Sequence, residues 1–170
     1  HLSGSEITSD QLKQFYDLYS LTYLKRGRDP YLDQSFFAEL VQTMPEQMLF
    51  VFAQLEGKIV AGALSFHDSA TLYGRYWGCY EEYDALHFET CYYQGIDYCI
   101  KHQLERFDSG AQGEHKIKRG FEPVFTHSVH WVNHPEFHKA IANFVDEEHE
   151  YLSSQKSHLS ERLPFKNTDL

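Results

Sequence analysis

Two uninterrupted apolar runs, Met48-Leu49-Phe50-Val51-Phe52-Ala53 and Ile59-Val60-Ala61-Gly62-Ala63-Leu64, are joined by a short polar corner at Glu56-Gly57. Runs of this length hinged by glycine predict two buried strands of a hairpin. Asp68-Ser69 makes the next turn, and Leu72-Tyr73-Gly74-Arg75-Tyr76-Trp77-Gly78-Cys79 then alternates as a third strand. Strict alternation puts Tyr73, Arg75, Trp77 and Cys79 on one side and leaves the side of Gly74 and Gly78 low and open. Arg75, set between aromatics, is either a snorkelling surface group or a cation facing a ligand.

Helical periodicity surrounds these strands. Ser9-Asp10 can cap a helix carrying Leu12, Phe15, Tyr16, Tyr19 and Tyr23, which Gly27 and Pro30 stop. A second helix begins near Asp33 and buries Phe36, Phe37, Leu40, Val41 and Met44 ahead of Pro45. A third runs from about Leu86 to Leu104, with Phe88, Cys91, Tyr92, Gly95, Ile96, Cys99 and Ile100 inward. A short strand near Arg106–Gly110, a polar loop and a strand from Pro123 to Val132 follow. The last element is an amphipathic helix burying Phe137, Ile141, Phe144, Val145 and Leu152. The order α-α-β-β-β-α-β-loop-β-α predicts a mixed sheet flanked by helices, one α/β domain over residues 1–153 with a polar tail at 154–170.

The 170 residues suit one domain with a real core, and 42% hydrophobic with 24% charged residues describes a globular chain. The formal net charge of −10 opposes direct nucleic-acid binding, which needs clustered Lys and Arg. Cys79, Cys91 and Cys99 have no metal-type spacing and read as buried reduced thiols of a cytosolic protein. No apolar run reaches membrane-spanning length.

Chemistry concentrates in Phe107-Asp108-Ser109-Gly110-Ala111-Gln112-Gly113-Glu114-His115-Lys116-Ile117-Lys118-Arg119-Gly120-Phe121. Gly110 and Gly113 allow close backbone approach by a ligand or a neighbouring strand. Glu114-His115-Lys116 is the leading acid–base candidate, because imidazole titrates near neutrality and flanking charges tune it. Adjacent residues cannot all face one site, so at most two of the three act together. His87 and Glu89 form a second candidate pair, with Tyr93 one helical turn beyond Glu89. His127 and His130 fall on opposite faces of the expected strand, and His134 with His138 lacks a completing ligand, so no metal site is expected. Nucleophile-elbow, Walker and dinucleotide motifs are missing from the sequence.

The element order resembles the GCN5-related N-acetyltransferase (GNAT) fold, with Lys116-Ile117-Lys118-Arg119-Gly120-Phe121 similar to its turn into the final strands. Several segments resemble the FemAB-like "peptidoglycan biosynthesis/recognition" family. They are Gly27-Arg28-Asp29-Pro30-Tyr31-Leu32, Leu72–Cys79, His87-Phe88-Glu89-Thr90-Cys91-Tyr92-Tyr93-Gln94, Gly110-Ala111-Gln112-Gly113-Glu114-His115-Lys116 and His127-Ser128-Val129-His130-Trp131. The resemblance covers nearly the whole chain and implies the C-terminal half of a tandem bacterial protein whose other half is a partner.

It further implies an acyl- or aminoacyl-transferase taking a small-molecule acyl donor and a cell-wall-related amine acceptor. Glu114 and His115 would be catalytic, with Arg75, Trp77, His87, Glu89, Tyr93, Gln112, Gly113, Lys116 and Arg119 binding substrate. The alternative is a recognition module whose stacking pocket uses Tyr73, Trp77, Tyr93 and Trp131. The GNAT pyrophosphate loop is replaced by Glu81-Glu82-Tyr83-Asp84-Ala85-Leu86, with three acids and no glycine. Acyl-CoA is therefore disfavoured as donor, and aminoacyl-tRNA stands beside it as a possibility.

Overall fold

A computed structural model describes residues 1–111 and 113–165. The chain forms two compact units, His1–Gly110 and Ala111–Leu170. In the first, a five-stranded sheet has the order β1-β2-β3-β4-β5. Its strands are β1 (Leu2–Ser3), β2 (Met48–Leu55), β3 (Lys58–His67), β4 (Thr71–Cys79) and β5 (Arg106–Asp108). The expected hairpin forms as β2–β3, turning through Glu56 and Gly57 at φ 51° and 77°. Positive φ at both central residues matches the right-handed twist of the flanking strands, and glycine accepts it at little cost. β1, which sequence patterning missed, adds two residues antiparallel to β2.

Helix α1 (Ser9–Leu24) is capped by Thr8, one residue before the expected Ser9-Asp10. The Thr8 hydroxyl accepts from the Gln11 amide, and the Gln11 side chain accepts from the Thr8 N–H, a reciprocal capping box. Helix α2 (Gln34–Thr43) begins where expected and is capped by Asp33, whose carboxylate accepts from the Phe36 amide. The third helix is not continuous. A single turn, α3 (Leu86–Phe88), leads through a π-helical segment at Glu89–Tyr93 into α4 (Gln94–His102). The wider π turn aligns residues five apart, so Glu89 meets Gln94 (2.7 Å) in place of the expected register with Tyr93.

The sheet separates two cores. On one face Leu12, Phe15 and Tyr19 of α1 and Phe37 of α2 pack on Met48, Phe50 and Leu64. On the other, Leu49, Val51, Ala63 and Leu72 meet Cys99 of α4, with Trp77, Cys91 and Phe107 alongside. Cys79, Cys91 and Cys99 form no disulfide, and the first and last of them are buried.

The face assignment of β4 departs from simple alternation. Leu64 pairs with Tyr76 but Ser65 pairs with Gly74, so Arg75 is an extra residue, a β-bulge. The insertion flips the strand's parity. Tyr73 and Trp77, expected on one side, lie on opposite faces: Tyr73 pairs with Phe66 of the aromatic core, whereas Trp77 pairs with Ala63 and joins the α4 side.

The second unit contains a 3-10 helix (Glu114–Arg119) and α5 (Pro135–Ser160). The strand expected over Pro123–Val132 is not formed. Within this unit no other strand exists among the described residues, and an extended segment becomes a strand only by pairing. The apolar stripe of α5 is present but not inward. Phe137 and Phe144 are 63% and 60% exposed, and Ile141, Val145 and Leu152 are exposed as well. Helical periodicity supplies an apolar stripe; burial additionally requires a complementary surface. The helix continues past Ser153 through polar turns to Ser160.

Candidate functional site

The sheet parts at β4. Its parallel pairing with β5 covers only Thr71–Tyr73 against Arg106–Asp108, while β4 runs on to Cys79. Helix α1 lies along this extension. The Leu18 carbonyl sits where a Cβ on Gly78 would be, Thr22 Oγ1 donates to the Trp77 carbonyl (2.7 Å), and Lys25 Nζ donates to that of Cys79 (3.1 Å). These bonds occupy acceptors that an added strand would need.

At the C-terminal end of β4 a hollow of about 520 Å³ opens between Trp77 and Cys79, the loop residues Glu82–Ala85, Leu86–Phe88 and Arg26. Its wall is aromatic: the His87 ring stands edge-on to Trp77 (5.2 Å between centroids) and to Tyr92 (5.4 Å). Its rim carries the carboxylates of Glu82 and Asp84 and the single guanidinium of Arg26. Ala85 adopts the left-handed conformation (φ 59°) as the chain enters α3. A pyrophosphate would face two carboxylates at this rim, so the residues present do not fit acyl-CoA.

Arg75 belongs to a different environment, separated from Trp77 by the bulge. Its guanidinium lies over the Tyr76 ring, 5.3 Å from the centroid. Tyr76 and Tyr31 share a hydroxyl–hydroxyl hydrogen bond (3.1 Å), and Tyr23 packs edge-on to Tyr31 (5.5 Å) and against Tyr19 (5.0 Å). Burial, together with its hydrogen bond to Tyr31, pushes the Tyr76 phenol up to about 12. Burial also raises Tyr23. Tyr31 is drawn below the ordinary phenol range, chiefly by its hydrogen bond with Tyr76, with Tyr23 and the Arg75 charge acting in the same direction. Sequence reasoning missed this cluster. The available signal is the recurrence of tyrosine at 19, 23, 31 and 76, of which the first two fall in the α1 stripe and the last in the β4 pattern.

In the second unit, Glu114, His115, Lys116 and Arg119 all lie on the 3-10 helix. Glu114 pairs with Arg162 (3.2 Å) and is exposed. Lys116 is buried, its ammonium 3.4 Å from the Ala111 carbonyl. Arg119 donates to the His115 carbonyl (2.8 Å). Partial burial, then the charges of Arg119 and Lys116, hold the His115 imidazole below its ordinary range and favour its neutral form at neutral pH. Gly113 enters the helix at φ 103°, and a side chain there would meet the His115 ring.

Of the other expected site residues, Glu89 is held by Gln94, whose side chain also meets His1 Nε2 (2.8 Å). Tyr93 is exposed in the π segment. Gln112 lies outside the described residues. The structure thus joins Trp77 with His87 and places Arg75 with the tyrosines. The stacking pocket of Tyr73 with Trp77 cannot form, because they occupy opposite faces of β4.

Comparison with known proteins adds three findings. A FemAB-like family profile, described as peptidoglycan biosynthesis/recognition, matches residues 1–167. Among solved structures, that of a possible acetyltransferase from Clostridium difficile 630 superposes with a TM-score of 0.52 at 14% identity, covering 75% of this chain and 95% of that one. No curated protein matches. The structural likeness shows that this chain shares its fold with that protein.

Proposed function

Because this chain belongs to the FemAB-like family of peptidoglycan biosynthesis/recognition proteins, we propose that it is an acyl- or aminoacyl-transferase domain that acylates an amine of a cell-wall-related substrate. The observation that carries the reading is the parting of β4 from β5 after three paired residues, with the aromatic-walled hollow at the far end of β4. Trp77 and His87 present ring faces and edges there suited to a sugar or peptide group.

In this reaction the amine nitrogen attacks the acyl carbonyl, a C–N bond forms, and the bond from the carbonyl to the donor's leaving group breaks with its electron pair. The amine proton passes to His115, neutral at neutral pH, or to Glu114. The cations of Lys116 and Arg119 oppose negative charge on the reacting groups. The carboxylate rim favours a donor other than acyl-CoA, and aminoacyl-tRNA is the donor to try beside it.

The test is acyl transfer to amine-bearing cell-wall precursors, with acyl-CoA and charged tRNA offered as donors. Turnover is expected, and Glu114→Gln with His115→Ala together should lower it about 10²–10⁴-fold while circular dichroism stays unchanged. Undiminished transfer in that double variant would remove this mechanism. Precursor binding without turnover from either donor would point to the second reading, a recognition module, which the aromatic wall of the hollow also favours.

A further inference from the structure

Arg75 is the one residue of β4 that the sheet ladder does not require. Its bulge position points it out of the normal alternation, a device that sheets use to re-aim a side chain. The guanidinium is then fixed from below by the Tyr76 ring. Among the described residues no carboxylate pairs with it, although the chain carries 25 acidic residues against 15 basic ones. Asp33, close to Tyr31 in sequence, is occupied by Ser35 and the Phe36 amide. The groups acting on Arg75 are tyrosines: Tyr76 first, then Tyr31 and Tyr23.

Tyr31 and Tyr76 share one hydroxyl–hydroxyl hydrogen bond in which either oxygen can donate, and with Tyr76 as donor the proton of Tyr31 is left for a group outside the cluster. Accepting a hydrogen bond makes a phenol a better donor in turn. Tyr31 is 59% exposed and stands on the loop between α1 and α2, so an incoming group reaches it without rearrangement of the core.

We propose that Arg75 and the Tyr31 hydroxyl form a binding site for a carboxylate, on the sheet face opposite the hollow. One guanidinium fork with a phenol donor matches a planar monoanion; a phosphate dianion calls for more positive charge than this cluster holds. The carboxylate belongs either to a free small acid or to a peptide C-terminus. This site goes beyond the transfer reading and requires no turnover, so either can fail alone.

The experiment is an NMR titration of the whole chain, following the Arg75 Nε–H and Tyr31 ring signals. The probes are N-acetyl-dialanine, its C-terminal amide, sodium acetate and inorganic phosphate. The peptide acid should bind at least about tenfold more tightly than the amide, and Arg75→Lys should lose about tenfold by replacing a fork with a point charge. Tyr31→Phe should lose a smaller, few-fold amount. Acetate binding as tightly as the peptide acid would assign the site to small acids; a preference for the peptide acid would assign it to peptide termini. Equal binding of acid and amide, preference for phosphate, or unchanged affinity in a folded Arg75→Lys or Arg75→Ala chain would overturn the proposal.

Discussion

The two faces of the β2–β3–β4 sheet are built from different materials. One is packed with rings: Phe15 meets Phe37 and Phe50 at 5.6 and 5.2 Å, and Tyr19 meets Phe37 at 5.1 Å, all four nearly or completely buried. The other uses smaller groups, Val51, Ala63, Leu72 and Cys99, beneath a helix interrupted by a π turn. Large rings bury more apolar area per residue, so the aromatic face carries more of the stability. The thinner face keeps the hollow beside Trp77 and His87. One strand, β4, serves both faces, and a single extra residue decides which side chains go where.

The largest break in this contrast is expected from Phe15→Ala, which removes a fully buried ring at the centre of the aromatic face. A loss of about 3–5 kcal/mol is expected in denaturant unfolding. Cys99→Ala on the other face removes one sulfur from a buried site and should cost only about 1 kcal/mol in the same measurement. If the two losses were equal, the asymmetry between the faces would be refuted.

A smaller effect sharpens the comparison through pH. The folded protein holds the Tyr76 proton up to about 12, whereas an unfolded tyrosine releases it near pH ~10. Stability from this group is therefore complete below pH ~10 and is lost as pH rises towards about 12. Tyr31, shifted downward, contributes with the opposite sign, present above the ordinary phenol range and lost as pH falls. Tyr76→Phe should flatten the alkaline fall in unfolding free energy, and Tyr31→Phe should steepen it. Identical alkaline profiles in wild type and Tyr76→Phe would contradict the burial of that hydroxyl.

The smallest expected effect lies in the second unit. His115 should titrate below a free imidazole in an NMR pH series, and Arg119→Gln should move its midpoint upward by removing one of the cations that oppose its protonation. Since the folded state disfavours the charged imidazole, His115 costs stability only as pH falls below the ordinary histidine range. No movement in the Arg119 variant would leave burial and the Lys116 charge as the causes.

Much of this was legible along the chain. Continuous apolar runs with Glu56-Gly57 between them specified the hairpin, and Asp33 marked the start of α2, because these signals are local. The acid–imidazole–ammonium segment was also visible as a string, though its folding into a 3-10 helix was not. The Pro123–Val132 stretch misled for a related reason: alternating Val, Phe and Trp describe a residue set able to pair, and pairing depends on a second edge.

By itself the sequence determined the order of elements, the hairpin, the capped helices and the family to which the chain belongs. Those properties follow from periods of 2 and 3.6 residues and from side chains acting on their own backbone. Tertiary structure alone decided that Arg75 bulges out of the β3–β4 ladder, that Glu89 aligns with Gln94, and that Tyr19, Tyr23, Tyr31 and Tyr76 converge. Each depends on how one segment registers against another far along the chain, and register is set by the packing of both partners together.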